Sequence, residues 1–331
     1  MDLDTARLTV SPRCLSLIDS LPPYPRIDPL TLGEQLRKGG ANADVVAAAL
    51  TQSRLRHQAQ GKFGEFARGM LFTASGLEQA TRLTVAARHA ARYRDAGIET
   101  VADLTAGIGA DAMAMAGLGL GVIAFERDEA TALIADHNLR HWERAAVVHA
   151  DSLATLAKGS VNAQGVFADP ARRNARGRRH DPKDYSPPFD EVLALRGQFP
   201  ALGVKVGPGI PHEALPTSAS GDPVETQWVS VEGSVVEAAI WCGPLAHAQG
   251  HSALVMKGNQ AHLLTGTTEH AHAGPLGDWL MEPDGAVIRA GLVGELAEQA
   301  GAHLVYATIA YLTADHEAHG PFMSTFRVLE T

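Results

Sequence analysis

Apolar positions recur at helical spacing through the first part of this chain, then give way to short apolar runs separated by helical stretches. Residues 31–38 predict a helix with Thr31 as N-cap and Glu34 three residues on, the spacing of a capping box. Residues 44–55 predict another, and Pro22, Pro23, Pro25 and Pro29 mark a loop ahead of both. Over residues 72–93, Leu77, Ala80, Leu83, Thr84 and Ala87 share one face, with Ser75 and Glu78 placed as a second capping box.

Beyond residue 100 the pattern becomes βα alternation. Strands are expected near 101–103, 122–125, 145–150, 165–168 and 202–206, with a helix over 110–118 after the first. A hairpin follows, 226–232 and 235–241, about a Gly233-Ser234 turn. Five parallel strands closed by an antiparallel pair predict a doubly wound, Rossmann-like α/β sheet. After residue 245 the composition shifts. Strands at 252–256, 261–265, 308–312 and 324–329 and a helix over 290–300 predict a small α+β module. The expected division is a helical module over 1–72, the α/β domain over 73–244 and the appended module over 245–331.

Composition narrows the class. The 331 residues are 45% hydrophobic with a net charge of −9, as expected for a soluble globular protein. No apolar run is long enough to span a membrane, and the N-terminus has no secretory pattern. Only Cys14 and Cys242 are present, which excludes a disulfide framework and suits the cytoplasm.

The candidate chemistry centres on VADLTAGIGAD at 101–111. Gly107 and Gly109 permit positive φ and close backbone approach, and the following helix start offers unpaired N–H groups. Thr105, Ala106 and Asp111 belong to the same stretch. Asp103 precedes the turn. A carboxylate there repels a pyrophosphate and suits an ammonium or sulfonium group, so S-adenosylmethionine (SAM) is favoured over NAD. Glu126, 23 positions on and next to Arg127, is placed for ribose hydroxyls. Asp128 reads as a helix N-cap. Asp151-Ser152 ends the third strand, and Asp151 suits either an adenine amino group or a helix N-cap. Thr73 and Gln79 are candidates for the amino-acid end of the cofactor or for ordinary capping.

Asp169-Pro170 ends the fourth strand, where ligands of open α/β sheets bind. The next stretch, 172–183, holds six Lys or Arg (Arg172, Arg173 and Arg176 among them) against Asp181 alone. It reads as a phosphate-binding loop or a solvated one. Arg54, Arg56, Lys62 and Arg68 form a basic stripe open to the same two readings. His247, His251, His262, His270 and His272 show no metal-binding spacing, so no metal is expected.

With these motifs in view, the chain resembles the class I SAM-dependent methyltransferases, and more narrowly the bacterial ones with a C-terminal THUMP-like domain. The likeness rests on KFG at 62–64, FTASGLEQAT at 72–81, DLTAGIGAD at 103–111, ERD at 126–128, DPARR at 169–173 and KVGPGIP at 205–211, with PDGAVIRAGLVGEL at 283–296 and TFRVLE at 325–330 for the THUMP-like part. It implies a cytoplasmic enzyme acting on RNA (tRNA or rRNA), with Asp103, Gly107, Gly109, Glu126 and Asp151 at the cofactor. Asp169, Pro170 and Arg172 would form the catalytic loop. Arg172, Arg173, Arg176, Lys205 and Lys62 are the expected substrate contacts. Where amino-group methyltransferases show (D/N)-P-P-(Y/F), this chain has Ala171-Arg172, which leaves the target atom open. Neither cysteine lies in a site motif, so N- or O-methylation is expected over carbon-5 methylation. The alternatives are a small-molecule or protein methyltransferase, a non-catalytic SAM-binding protein, and an NAD dehydrogenase.

Overall fold

A computed structural model describes residues 1–159, 161–171, 173–174, 177–178, 184–218, 222–266 and 271–330. The chain divides into two compact units, Met1–Ala168 and Asp169–Thr331.

The first unit opens with helices α1 (Leu3–Thr9), α2 (Pro12–Ser20), α3 (Pro29–Lys38) and α4 (Ala43–Phe63). Asp2, Ser11, Asp28 and Asn42 cap them through their side chains. The cap of α3 is therefore Asp28 and not Thr31, whose N–H and hydroxyl both donate to Asp28 Oδ2. Pro29 takes the first helical position, where its missing N–H costs nothing. The single helix expected over 72–93 is two, α5 (Ala74–Gln79) and α6 (Leu83–Asp95), and α5 is capped by Thr73 rather than Ser75.

Strand β1 (Thr100–Asp103), helix α7 (Ala110–Gly117), strand β2 (Gly121–Glu126), helix α8 (Glu129–Leu139), strand β3 (Ala145–His149), helix α9 (Ser152–Leu156) and strand β4 (Gly165–Ala168) follow. The four strands pair in parallel in the order β4-β1-β2-β3. Asp103 lies opposite both Ala124 and Phe167, and Glu126 opposite His149, so the carboxyl ends of the strands line up. Every residue of β4 is buried, as expected for a strand covered on both faces.

The second unit begins with a ribbon of β5 (Arg173–Asn174) and β6 (Gly177–Arg178), then helix α10 (Phe189–Ala194) and strand β7 (Ala201–Val206). Strands β8 (Val224–Val231), β9 (Ser234–Cys242), β10 (Gly250–Lys257) and β11 (Gln260–Thr265) continue in the order β7-β9-β8-β10-β11. The β8–β9 turn is Glu232-Gly233, with φ of 49° and 78°, one residue earlier than the Gly233-Ser234 expected. Two positive φ angles match the twist of a type I′ hairpin. Because β10 pairs in parallel with β8, the expected boundary at 244/245 falls inside one continuous sheet. Trp228 and Trp241 are fully buried in its core.

A separate antiparallel sheet closes the chain. Strand β12 (Trp279–Pro283), helices α11 (Gly285–Ala290) and α12 (Val293–Ala300), and strands β13 (His303–Tyr306), β14 (Ile309–Ala314) and β15 (Met323–Arg327) give the order β13-β14-β12-β15. The helix expected over 290–300 begins later, because Gly291 at φ 72° terminates α11.

Candidate functional site

The turn after β1 is built from its backbone outward. Leu104 N–H donates to Phe167 O at 2.8 Å and Ala106 N–H to Phe125 O at 2.9 Å, carrying the pairing past the end of the strand. Gly107 and Gly109 then take φ of 55° and 88°, and Gly109 caps α7. A side chain at Gly107 would meet no atom within 4 Å, so the space beside the turn is open. Asp103 is 2% exposed and accepts from Thr105 N–H at 3.1 Å, which points its carboxylate into the turn.

Glu126 closes the turn from the neighbouring strand. It accepts from Gly107 N–H at 3.0 Å and from Asp128 N–H at 2.8 Å. Burial pushes its carboxyl pKa up, opposed by those backbone hydrogen bonds. Asp151 caps α9, accepting from Ala154 N–H at 2.9 Å through Oδ1. Its N-cap reading is thus realised in the fold. Ser152 is buried in the first turn of α9, and Arg127 is exposed. An open glycine turn between a buried carboxylate, Asp103, and a half-buried one, Glu126, fits an adenosyl ligand with a cationic sulfur. Asp103 would face the charged amino-acid end and Glu126 the ribose hydroxyls.

Several supports of the turn carry no signal in the sequence. Gly76 in α5 lies so close to the turn that a Cβ there would sit 2.4 Å from Ile108 Cγ2 and 2.6 Å from Thr73 Oγ1. Asn138 of α8 binds Ile108 O at 2.8 Å and both backbone groups of Leu71. Gln52 of α4 does the same for Phe72. These two buried amides hold residues 71–72 in place and tie the turn to α8.

Three of the expected ligand-binding residues make hydrogen bonds within the fold. Asp111 is buried in the first turn of α7, with Thr81 Oγ1 at 2.7 Å from Oδ2 and His89 Nδ1 at 2.8 Å from Oδ1. It joins α7 to the 81–95 segment. Lys62, the expected RNA contact, donates to the carbonyls of Leu77, Glu78 and Ala80 at 2.7–2.9 Å and so caps α5. Arg56, from the same basic stripe, donates to Met70 O and pairs with Asp19. Thr73 accepts from Gly76 N–H as the cap of α5, and Gln79 is exposed at its end.

In the second unit, Asp169 pairs with Lys205 of β7, Nζ to Oδ2 at 2.5 Å. Lys205, an expected substrate contact, is only 7% exposed and braces Asp169. Arg172 and Arg176 lie outside the described residues, and Arg173 is defined only by its pairing with Arg178 in the β5–β6 ribbon. The loop after β7 runs Pro208 to Pro211 and lines a cleft with His212, Trp228, Ile288 and Arg289. Cys242 is fully buried and its thiol pKa is pushed up to about 11 by desolvation, which leaves it a poor nucleophile. Cys14 is buried and shifted the same way. Among the described residues no group of three or more His, Cys, Asp or Glu is arranged to hold a metal, and His270 lies outside them.

Comparison with known proteins gives these features a family context. Proteins from two strains of Mycobacterium tuberculosis, each named an uncharacterized S-adenosylmethionine-dependent methyltransferase, are 34% identical over 287 residues, covering 83% of this chain and 75% of theirs. The ribosomal RNA small subunit methyltransferase J of Klebsiella pneumoniae is 26% identical over 180 residues, 51% of this chain and 64% of that one. A crystal structure from Porphyromonas gingivalis W83, of a protein assigned to the methyltransferases, covers 99% of this chain and 82% of its own at a TM-score of 0.69 and 18% identity, which shows the shared fold. Residues 2–59 match a family model described as a domain of unknown function (DUF8688).

Proposed function

This chain belongs to the S-adenosylmethionine-dependent methyltransferases, and we propose that its methyl acceptor is a nitrogen or oxygen atom of RNA, tRNA or rRNA. The observation that carries the RNA reading is the stretch directly after Asp169-Pro170. Six Lys or Arg stand against one Asp over 172–183, in a chain whose net charge is −9. Polyanions are held by such local excess. The ribosomal RNA methyltransferase of Klebsiella pneumoniae among the relatives supports the same reading.

SAM supplies a methyl group already attached to a good leaving group, so the protein's work is to bind and align. Asp103, the Gly107–Gly109 turn, Glu126 and Asp151 are the residues assigned to hold it. Asp169, its carboxylate braced by Lys205, is assigned to orient the acceptor's N–H or O–H and take its proton. Arg172, Arg173 and Arg176 are assigned to the RNA backbone. With both cysteines buried and their thiols shifted upward, an N or O acceptor is favoured over a pyrimidine carbon, which would need a cysteine nucleophile.

The likeness of the last residues to a THUMP-like module is assigned here to fold alone. Residues 245–331 hold three Lys or Arg against nine Asp or Glu, a composition that disfavours a phosphate backbone. Among the described residues no helix is long and apolar enough to cross a membrane, and the cytoplasm is the compartment this reading requires.

The test uses purified protein, tritiated SAM and total RNA from a strain lacking the gene, with DNA and cell protein in parallel. Label is expected in that RNA and not in RNA from the parent strain, which is already methylated. Label in protein or small molecules alone would overturn the RNA assignment.

A further inference from the structure

The four-stranded sheet at the end of the chain has one buried face and one open face. Register decides which residues share each. Met281 lies opposite Leu312 and Thr325, and Leu304 opposite Leu312. Met281, Leu304, Leu312 and Met323 are all buried. On the other face, Glu282 lies opposite Ser324 and beside Tyr311, Leu280 opposite Phe326, and Tyr306 opposite Ile309. Here Tyr306 is 61% exposed, Phe326 50%, Ile309 47% and Tyr311 36%. These four large side chains, left in water on three strands of one sheet face with Glu282 and half-buried Leu280 of β12 between them, mark that face as an interaction site.

We propose that this face docks a Lys- or Arg-rich segment of a partner protein. The commitment rests on charge and ring chemistry. Glu282 sits within the patch, and Tyr311 donates its hydroxyl to the Glu282 carboxylate at 3.2 Å. A cation placed over Tyr311 or Phe326 would meet the negative ring face and that carboxylate together. The surrounding stretch is acidic, with nine Asp or Glu against three Lys or Arg over 245–331, so a cationic partner is drawn towards it.

A single-stranded nucleic acid also stacks on exposed aromatics. Its platforms combine them with a basic groove, however. Between 271 and 331 the only Lys or Arg are Arg289 and Arg327. Arg289 donates to Pro208 O, and Arg327, though exposed, lies opposite Trp279 and so alternates away from the face of Phe326. The open face therefore presents aromatics with a carboxylate, which suits a protein cation and repels a phosphate chain.

The experiment places p-benzoylphenylalanine at Tyr306 of the full chain in its native cells, irradiates, and identifies what becomes covalently attached. The same probe at Leu263, exposed on β11, is the control. The expected product is a protein adduct whose linked peptide is rich in Lys or Arg, with yield falling about fivefold when Glu282→Lys is added. A nuclease-sensitive adduct, a link to a second copy of this chain, a neutral or acidic peptide, insensitivity to Glu282→Lys, or no adduct above the Leu263 control would each overturn the proposal. The RNA methylation assay with Glu282→Lys protein separates the two readings. Labelled RNA without a cationic adduct overturns this inference alone, and a cationic adduct without labelled RNA overturns the RNA assignment alone.

Discussion

Residues 172–183 and residues 245–331 carry opposite charge: six Lys or Arg against one Asp in the first, three against nine acids in the second. The first follows Asp169-Pro170 without a break. The second includes the four-stranded terminal sheet with its aromatic open face. A net charge of −9 averages over the two and conceals both. The difference separates two jobs that the family likeness alone would merge. In the proposed reading, binding a phosphate chain falls to the stretch beside Asp169. The terminal sheet is suited to something cationic.

The strongest way to break this division is at its proposed chemical centre. Asp169→Ala should lower kcat by about 10²–10⁴-fold, the usual contribution of a general base, while SAM affinity measured by calorimetry changes little. Equal loss of both, or full activity, removes Asp169 from the catalytic role. Next in size is the charge contrast itself. Changing Arg172, Arg173, Arg176 and Arg178 together to Gln should raise KM for RNA by roughly 10–100-fold and flatten its salt dependence, by about 0.7 in the logarithmic slope for each single-strand phosphate no longer neutralised. Neutralising Glu295, Glu298 and Glu317 in the acidic stretch should leave both unchanged. A matching shift from the acidic set would mean that the RNA path crosses the terminal sheet as well.

A third test concerns Glu126, where the two protonation states do different things. Burial raises its pKa above the ordinary carboxylate value. In the cofactor-free protein, the stability linked to this group is therefore fully present below the unfolded value. It is lost as pH rises through the folded one. Ribose binding runs the other way, because only the ionised form accepts from both hydroxyls. SAM affinity should fall as pH drops through the raised pKa, and Glu126→Gln should bind roughly 10-fold more weakly with a flat profile. An unchanged profile in the variant would take Glu126 away from the ribose.

Much of the scaffold of this centre is legible in the chain alone. Each of β1–β4 is a short apolar run, and in β1–β3 an acid ends the run or follows it within two residues, a pattern that needs no tertiary knowledge. The glycine turn is equally plain, since positive φ at Gly107 and Gly109 is what those residues are for. The misses share another cause. Between α5 and α6 the chain has no strong local breaker, and the interruption comes from Lys62 on the Leu77, Glu78 and Ala80 carbonyls and from Thr81 held by Asp111. Gln52 and Asn138 look like solvent-facing helix residues until 71–72 folds back onto them. Gly76 carries no signal of its own, because the atom that forbids a side chain there belongs to Ile108, distant in sequence. The hairpin sits one residue early because Glu232 takes a positive φ of 49°, a conformation more expected of Asn or Gly.

The smallest expected effect is also the one that tells a structural cation from a binding one. Lys62 belongs to the basic stripe, with Arg54, Arg56 and Arg68, that the sequence offers either to phosphates or to solvent, and its ammonium donates to three carbonyls around the end of α5. Lys62→Met keeps the stem and removes the charge. The carbonyls it leaves are partly accessible to water, so the cost should be about 1–3 kcal/mol in urea unfolding, the range for losing hydrogen bonds to a charged group. Because α5 packs through Gly76 against Ile108 of the glycine turn, SAM affinity should weaken in step with the loosening of that helix. The salt slope of RNA binding should not move. A flattened slope with unchanged stability would return Lys62 to the substrate. It would also make Lys62 a second source of positive charge for RNA besides the one proposed at 172–183.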